Sequence, residues 1–523
     1  MKKGRLRTLL AQAGAALAVS ALIAGCGNNY RPVIKPVTPT GPPAQPSSYV
    51  VVVTTTGATT PGVATIIDYS GDTVMAIAPI GPGPIAFTID EVGGNGYTVN
   101  SDGTLTNFPI TTSLQAKNVT VSTLPSTAVP VNLMAPSSGL WAADLSGNVA
   151  DVFTGSPQTF KLAVPVSTMP VYIAGAPTVA GQREFVVSQN PQALPGFTST
   201  TCNSSPTTVG ENGVATPIEP SYVADAAIVL DPTAGSGTTN AQCPVFAVES
   251  TDQKRLYVLN RGSDTVSVIN VQDNTLDRCT PFVDQSGQTV NCHPILPLST
   301  TAVTKTGVTP PNGVAGMTGI AGPVDAEYNQ ATSQLVVANY DGGTISVIDV
   351  SLDEYGNDSP TFGTTYTIAV GNTANPLPAS VTVLSDGSKA YTANQGDCNP
   401  DCTASANGTV SVVNLITHTL EKTLTVVGNP RTVLNTQNSE YDKVYAAAPN
   451  SPYVTIIETT PTEIDVIDTT VLLEGNVVDL RVTTQTGSNG NNNYSSRVPG
   501  YGQPCDLPGA SQTGSLDACR AIQ

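Results

Sequence analysis

Short apolar runs alternate with clusters of turn residues along most of the chain. Residues 255–271, RLYVLNRGSDTVSVINV, show the arrangement: an apolar run, a turn of Asn, Arg, Gly, Ser and Asp, then a run with Val at alternate positions. Alternation with a period of two, bounded by turn residues, predicts a β-hairpin. No long segment after residue 26 has the periodic Ala, Leu, Glu and Lys of a helix, so the pattern predicts an all-β fold.

The outline of this hairpin returns three times. Residues 334–350 read QLVVANYDGGTISVIDV, and residues 389–415 contain KAYTAN and TVSVVNL separated by a longer turn segment. A looser copy, DKVYAAAPNSPYVTIIET, occupies residues 442–459. The order of an aromatic or Val, an Asn and a Thr recurs in the first three copies, and the fourth keeps Tyr445 but has Ala448 where the Asn would be, which indicates an internal repeat.

The runs LYVLN, LVVAN and AYTAN, each followed by a T-[VI]-S-V-[IV]-[ND] strand, resemble the YVTN family of β-propeller repeats. The likeness is close over about 254–457 and loose over the rest of 49–484. The resemblance implies four-stranded antiparallel blades around a central channel, with the YVTN segment as the second strand of each blade. Turn residues such as Asp341-Gly342-Gly343 suit the hairpins between strands.

The order of strands predicts eight blades, with seven, the usual number in the family, as the alternative. Second strands are predicted at 49–54, 96–100, 139–144, 183–188 and in the four copies above. First strands are predicted in PIAFTID, PVNLMA, PVYIAG, PVFAVE, PVDAEY, PASVTV and PRTVLN, one fewer than the second strands. Residues 476–484, NVVDLRVTT, are predicted to supply the missing strand to the amino-terminal blade and so to close the ring without an open edge.

The amino terminus has the layout of an export signal. Residues 1–25 combine a basic start, a short apolar stretch and small residues directly before Cys26. This arrangement resembles the bacterial lipobox, which implies cleavage before Cys26 and lipidation of that residue; the alternative is a plain signal with an incidental cysteine. Residues 26–48 are rich in proline and are predicted to be an extended tether. We therefore expect an extracytoplasmic protein, anchored by lipid at the outer membrane or cell surface.

Charge excludes one class of partner. The whole chain has 21 basic and 39 acidic residues, and the signal takes four of the basic ones, so 17 remain against 39. No basic stripe is left for phosphates, so we expect no nucleic acid partner.

Cysteine usage predicts disulfides rather than a metal site. Apart from Cys26, eight cysteines remain, which is an even number in an oxidising compartment. We predict four local disulfides between sequence neighbours, each in a segment rich in turn residues: Cys202 with Cys243, Cys279 with Cys292, Cys398 with Cys402, and Cys505 with Cys519. The last pair lies in the tail 485–523, a low-complexity segment outside the predicted propeller.

Few residues suggest catalysis. Only two histidines occur, His293 and His418, and both are expected to be loop residues without a catalytic partner. The H-E-x-x-H, EF-hand, G-x-S-x-G and P-loop patterns are absent, so no catalytic residue, metal ligand or cofactor is predicted, and we expect the chain not to be an enzyme. The only tryptophan, Trp141, is expected in the core.

The remaining candidates are charged residues near predicted hairpin ends. Arg431 and Arg261 are the best candidates for a polar group in the channel or at its rim, followed by Asp341 and Asp397. With Asp264 and Asp349, these carboxylates are either turn residues or part of a site for calcium or another hard cation. Arg255 and Tyr257 are further residues that would reach the channel or a rim.

Three functions are compatible with these patterns. The leading hypothesis is a non-catalytic binding or scaffold module that presents a face to a protein or a surface polymer. The second is an enzyme of lactonase-like type, or one dependent on a quinone or metal, with its site at the channel mouth. The third is a structural or adhesive component of the cell surface. The first is preferred because two histidines and few charges fall short of an enzyme's converging site.

Lipidation at Cys26 is directly testable. Cells that express the precursor and are fed a palmitate analogue are expected to label the protein, because Cys26 is the predicted site of lipid attachment. The Cys26→Ser precursor is expected to lose the label, whereas Cys243→Ser serves as the matched control and keeps it. Label on the Cys26→Ser protein, or none on the unaltered precursor, would contradict an anchor at this residue.

Overall fold

In the structure, a computed structural model, the regular secondary structure is almost wholly short strands. It describes residues 49–497 except 70, 91, 137–138, 176–182, 190–212, 232–240, 242, 285–286, 299–320, 374–375, 398–406, 438–441, 461–463 and 484–494, and for 495–497 it describes the backbone alone. Within these ranges the one helical segment is a 3-10 turn at Ala116–Asn118. The predicted all-β fold is confirmed.

The strands of the first half of the chain form successive antiparallel sheets, the blades. Blade 1 contains β1 (Tyr49–Thr55), β2 (Pro61–Asp68) and β3 (Thr73–Pro82). Blade 2 contains β4 (Pro84–Ile89), β5 (Asn95–Asn100), β6 (Thr104–Pro109) and β7 (Thr120–Thr123). Blade 3 contains β8 (Pro130–Met134), β9 (Leu140–Asp144), β10 (Val149–Thr154) and β11 (Thr159–Pro165). Blade 4 contains β12 (Pro170–Ala174), β13 (Glu184–Ser188), β14 (Val214–Ile218) and β15 (Ile228–Val229).

The second half continues the same order. Blade 5 contains β16 (Pro244–Glu249), β17 (Arg255–Asn260), β18 (Thr265–Asn270) and an outer strand in two pieces, β19 (Thr275–Leu276) and β22 (Ile295–Pro297), with the hairpin β20 (Phe282–Val283) and β21 (Thr289–Val290) between them. Blade 6 contains β23 (Pro323–Asn329), β24 (Gln334–Asn339), β25 (Thr344–Asp349) and β26 (Thr365–Ala369). Blade 7 contains β27 (Pro378–Val383), β28 (Lys389–Asn394), β29 (Asn407–Asn414) and β30 (Thr419–Val427). Blade 8 contains β31 (Thr432–Asn435), β32 (Lys443–Ala447), β33 (Tyr453–Glu458) and β34 (Val466–Leu472), and β35 (Asn476–Val482) and β36 (Ser495–Arg497) follow.

The first strands of the blades form the inner ring around the channel. Each of β4, β8, β12, β16, β23, β27 and β31 lies next to the first strand of the following blade, and β35 lies between β31 and β4. Strand β35 pairs antiparallel with β1, so that blade 1 has the order β3-β2-β1-β35. The eight-bladed propeller and its closure by residues 476–484 are thereby confirmed, and seven blades are excluded.

Apolar cores fill the spaces between neighbouring blades, because each sheet is covered on both faces. Strand β1 shows how: Val50 and Val52 pack with Tyr445 of blade 8. The intervening Val51 and Val53 belong to a second core with residues of blade 2. Side chains of a strand alternate between its two faces, so an almost wholly apolar run with period two serves two cores.

The repeated Asn holds the third strand of its own blade. Asn339 donates from Nδ2 to Thr344 Oγ1 at 3.0 Å and to Ser346 Oγ at 2.8 Å. The same pair of bonds occurs in blade 2, blade 5 and blade 7, at Asn100, Asn260 and Asn394. These Asn residues are buried, and each net hydrogen bond contributes about 1 kcal/mol. The shared polar residues of the repeat are therefore structural.

A basic residue at the start of the second strand often connects one blade to the next. Lys389 Nζ lies 2.5 Å from Asp465 Oδ2 of blade 8, and Tyr391 donates its hydroxyl to the same carboxylate. At the seam between blades 8 and 1, Lys443 Nζ lies 2.5 Å from Asp72 Oδ2, and the Tyr445 hydroxyl is 3.1 Å from Asp72 Oδ1. The Tyr of the repeat thus has a polar role at its tip in addition to its core packing.

Among the described residues no helix has the length and apolar character needed to cross a membrane. The predicted signal and tether, with Cys26, lie outside the described residues, as does the tail apart from β36.

Candidate functional site at the rim of blades 5 and 6

An insertion interrupts the outer strand of blade 5. Strands β19 and β22 both pair with β18, and the chain between them forms the hairpin of β20 and β21. A disulfide between Cys279 and Cys292 joins the two ends of this hairpin, which confirms one of the four predicted pairings.

The other three predicted disulfides are not tested by the structure. Cys243 is buried, and its predicted partner Cys202 lies outside the described residues. Cys398 and Cys402 also lie outside them, as do Cys505 and Cys519. These pairings stay predictions.

His293, next to the observed disulfide, has a carboxylate partner. Its Nδ1 lies 2.8 Å from Oδ2 of Asp358, which belongs to the loop between the third and fourth strands of blade 6. The backbone N–H of His293 donates to the same oxygen and to Oδ2 of Asp277 at 3.1 and 3.2 Å. The expectation that this histidine lacks a partner is therefore wrong: the insertion of blade 5 carries it onto the loop of blade 6.

Arg255 is the fourth member of this cluster, with His293, Asp277 and Asp358. Its Nη2 lies 3.2 Å from Asp277 Oδ1, 3.3 Å from Asp358 Oδ1 and 3.2 Å from the carbonyl oxygen of Gly356. The side chains of Arg255, Asp277 and Asp358 are all buried, so each charge needs the others. The guanidinium holds the two carboxylates together.

Burial and charge shift the acidity of the cluster. Burial raises the pKa of Asp277 to about 6, although Arg255 opposes the shift. The hydrogen bond to Asp358 raises the pKa of His293 above its ordinary value of 6.5, against the effect of burial. The side chain of His293 is 33% exposed and stacks on Phe362 with ring centroids 5.3 Å apart, while the side chain of Asp358 is fully buried. A carboxylate that fixes one ring nitrogen of a partly exposed imidazole is an arrangement suited to proton transfer by the other nitrogen.

Apolar residues lie exposed on the same rim. We call Phe282, Val283 and Tyr355 the rim patch; their exposed fractions are 43%, 66% and 60%. Asp284 of the insertion lies close enough to Tyr355 of the blade 6 loop for its charge to act on the tyrosine hydroxyl. A hydrogen bond with Glu354 raises the pKa of Tyr355, and the charge of Asp284 in the insertion raises it further. Exposed apolar residues rimmed by charges are typical of protein interaction sites.

Two of the predicted site residues form an ion pair between blades. Arg261 Nε and Nη2 lie 2.9 Å from the two carboxylate oxygens of Asp341, a bidentate pair between the hairpins of blades 5 and 6. The Arg261 guanidinium also lies over the ring of Tyr340, 5.4 Å from its centroid. The arginine is buried, so the pair holds two blades together at the face opposite His293.

The other predicted carboxylates accept hydrogen bonds from their own turns or from the next blade. Asp397 accepts bonds from the backbone N–H of Asn372 and Thr373 and from the hydroxyl of Thr409. Asp264 accepts from the N–H of Ala321 and Gly322, and burial raises its pKa to about 6. Asp349 accepts from the N–H and hydroxyl of Ser351. Turn chemistry accounts for the contacts of Asp349, whereas Asp264 and Asp397 hold the connections between neighbouring blades.

Arg431 lies against the innermost strand of blade 1. Its Nη2 donates to the carbonyl oxygen of Val478 at 3.3 Å, and its side chain is half-buried. On the same strand, Arg481 Nη2 pairs with Asp479 Oδ2 at 2.8 Å. The role of Arg431 as a polar channel residue stays a prediction.

His418, Trp141 and Tyr257 have packing roles. His418 stacks on Tyr366 with ring centroids 3.7 Å apart, and burial lowers its pKa. Trp141 lies in the core between blades 3 and 4, as predicted. Tyr257 is buried against Tyr328 of blade 6, with centroids 6.3 Å apart.

Glu327, on the inner strand of blade 6, is a buried carboxyl group that the sequence analysis did not single out. Oε2 accepts a hydrogen bond from Thr382 Oγ1 at 2.9 Å, and Oε1 lies 3.4 Å from Gln437 Nε2. Burial raises its pKa from 4.5 to about 8, so at neutral pH the group holds a proton. The apolar environment of the inner strand is the cause.

Sequence reasoning missed Glu327, Asp277 and Asp358 for a common reason. Each belongs to a run or loop with ordinary strand or turn composition, and its partners come from other blades or from the far end of an insertion. For the two aspartates, the extra chain between β18 and β22 was the available signal.

No group of three or more His, Cys, Asp or Glu side chains in the described ranges is arranged to hold a metal ion. The calcium alternative stays a prediction for the chain as a whole.

No protein-family model matches the chain, and no curated protein is similar to it at a significant level. Solved structures similar to it include a candidate 6-phosphogluconolactonase from Bacteroides fragilis, 14% identical, with 84% of this chain and 99% of that chain covered and a TM-score of 0.47. They also include the periplasmic gluconolactonase PpgL of Pseudomonas aeruginosa (14% identical, 83% and 99% covered, TM-score 0.44) and apo AztD of Citrobacter koseri (11% identical, 83% and 97% covered, TM-score 0.46).

The expectation that the chain is not an enzyme is corrected by this comparison, because structures similar to it are named as lactonases. The expectation rested on the small number of histidines and charges, and one of those two histidines, His293, does have a carboxylate partner in Asp358. At these identities the likeness does not assign a reaction to this chain.

Glu327 gives a testable dependence of stability on pH. Between about pH 4.5 and pH 8 the native state keeps the proton that the unfolded state has lost, so the free energy of unfolding falls as the pH rises. Glu327→Gln, which is neutral at every pH, is expected to exceed the wild type in stability at pH 9 by a few kcal/mol, at about 1.4 kcal/mol per pKa unit. Urea unfolding at pH 5 and pH 9 measures the difference.

The exposed Glu474→Gln is the matched control and is expected to leave the pH dependence unchanged. A Glu327→Gln protein that loses stability equally at both pH values would contradict the assignment of a protonated carboxyl group.

Proposed function

We propose that this chain is an exported, lipid-anchored β-propeller of the YVTN-repeat type that binds a protein partner at the rim of blades 5 and 6. The observation that carries the proposal is the rim patch, an exposed group of two aromatic residues and a valine on elements that include the disulfide-linked insertion. The disulfide and the buried Arg255 cluster fix the supporting loops, so little order has to be gained on binding.

Charge supports a partner of a particular kind. Asp284, Asp353 and Glu354 surround the rim patch, and the chain as a whole is acidic. A partner surface with apolar residues surrounded by Lys and Arg complements this arrangement. The tether of residues 26–48 would hold the propeller away from the outer membrane or cell surface, leaving the rim accessible.

Photo-crosslinking in intact cells tests this proposal. A benzoylphenylalanine at Val283 is expected to form a covalent adduct with one defined protein, because the residue lies within the rim patch. The matched control is Val121, which is 55% exposed on the outer strand of blade 2 and is expected to give no adduct. Adducts of equal yield at both positions, no adduct, or an adduct with a polysaccharide would overturn a protein partner at this rim.

A second candidate function is hydrolysis, and the His293–Asp358 pair favours it. Asp358 holds Nδ1 of His293, and the ring is partly exposed, so Nε2 is positioned to take a proton from water. The water oxygen would add to the carbonyl carbon of an ester or lactone, the acyl C–O bond would break, and His293 would pass the proton to the leaving oxygen. The chemistry would then lie at the rim rather than at the channel mouth.

Hydrolysis of δ-gluconolactone by the purified full chain tests this candidate. The rate above background is expected to rise with pH above 6.5, as His293 loses its proton, and to fall at least about 100-fold in His293→Gln. His418→Gln is the matched control and is expected to be fully active. No rate above background, or equal loss in both variants, would exclude His293 as a general base for lactones.

A further inference from the structure

The first strand of each blade has one neighbour in its own sheet, so its other backbone edge faces the channel. Such an edge presents N–H and C=O groups that are able to pair with another strand. In blade 3 this edge is occupied. Strand β36 pairs antiparallel with β8, with Ser495 opposite Met134, Ser496 opposite Leu133 and Arg497 opposite Asn132.

The position of β36 is inside the ring. It lies near β4 and β12, the first strands of blades 2 and 4, as well as beside β8. The chain reaches it from β35, after which Thr483 exchanges two hydrogen bonds with Tyr49. At about 3.3 Å per residue, a connection of the length of 484–494 is able to span roughly 36 Å.

We propose that the channel-facing edge of β8 is a docking site for an extended peptide, which the chain's own residues 495–497 fill as a tethered competitor. Recognition by strand addition relies on main-chain hydrogen bonds, so the site accepts an extended segment largely irrespective of its side chains. The occupant we commit to is residues 492–500, NNYSSRVPG. Pro499 has no N–H, so this segment offers no backbone donor at that position.

Tethering determines how this site behaves. A segment attached through a short linker has an effective concentration of the order of millimolar, so it excludes a weak external peptide while it stays attached. Removal of the tail is therefore expected to open the site. This inference concerns the channel and does not depend on the rim patch.

Two truncations of the mature chain test the proposal. The chain ending at Thr484 lacks β36 but keeps β1–β35, and the matched control ending at Gly500 keeps β36. A fluorescent peptide of residues 492–500 is expected to bind the chain ending at Thr484 at least about tenfold more tightly than the control, because the tethered strand competes in the latter. The same peptide with Ser495→Pro and Ser496→Pro is expected not to bind. Of two adjacent residues in a strand, one directs its N–H toward the paired strand, and proline at both positions removes that donor whichever residue it is.

Hydrogen exchange provides the second measurement. In the full chain, the amides of 131–134 that are not bonded to β9 are expected to exchange at least about tenfold more slowly than in the chain ending at Thr484. Added peptide is expected to restore the protection. Equal peptide affinity of the two truncations, no binding to either, or unchanged exchange in β8 would each overturn the proposal, and a thermal unfolding curve establishes that both truncated chains are folded.

Discussion

The pairing of β35 with β1 is the contact on which the ring depends. Without it, blade 1 has three strands and lacks its innermost one. The core between blades 8 and 1 also loses Leu480, which packs there with Val52 and Tyr445. The ion pair of Lys443 with Asp72 spans the same seam. Because each blade buries its faces only against its neighbours, a gap at one seam exposes apolar surface on both sides of it. The closure therefore supports sites that are distant from it, including the rim of blades 5 and 6.

The fold was predictable from the sequence because its signals are local and repeated. Apolar runs with period two, an Asn at a constant offset and a Pro before most first strands identified all eight blades, including the strand at 476–484 that completes the first. The site was not predictable in the same way. Asp358 meets His293 across 65 positions of sequence, and Asp277 meets it from the other end of the insertion. Local composition does not indicate these contacts, because they form only when the fold brings two loops of neighbouring blades to the same edge.

Several charged residues that suggested a ligand are engaged in holding blades together. Arg261, which is buried, forms a bidentate pair with Asp341, and Asp397 accepts bonds from the connection between blades 6 and 7. A chain with few charged residues has to satisfy these buried groups internally, because an unpaired buried charge is strongly destabilising. The functional candidates are therefore found where the copies differ, at the rim insertion and along the inner strands. The insertion of blade 5 is one such difference, and it brings His293 to Asp358.

The insertion of blade 5 interrupts only the outermost strand. Strands β16, β17 and β18 keep their pairing, and the two short pieces β19 and β22 share the edge of β18 between them. An outer strand has one neighbour in its sheet, so dividing it leaves the inner three strands and both cores of the blade intact. New segments are thus acquired at this position without refitting the ring, and the disulfide of Cys279 with Cys292 makes the added piece a folded unit of its own. An outermost strand is therefore a position at which this architecture accepts a new surface and at which an engineer would graft one.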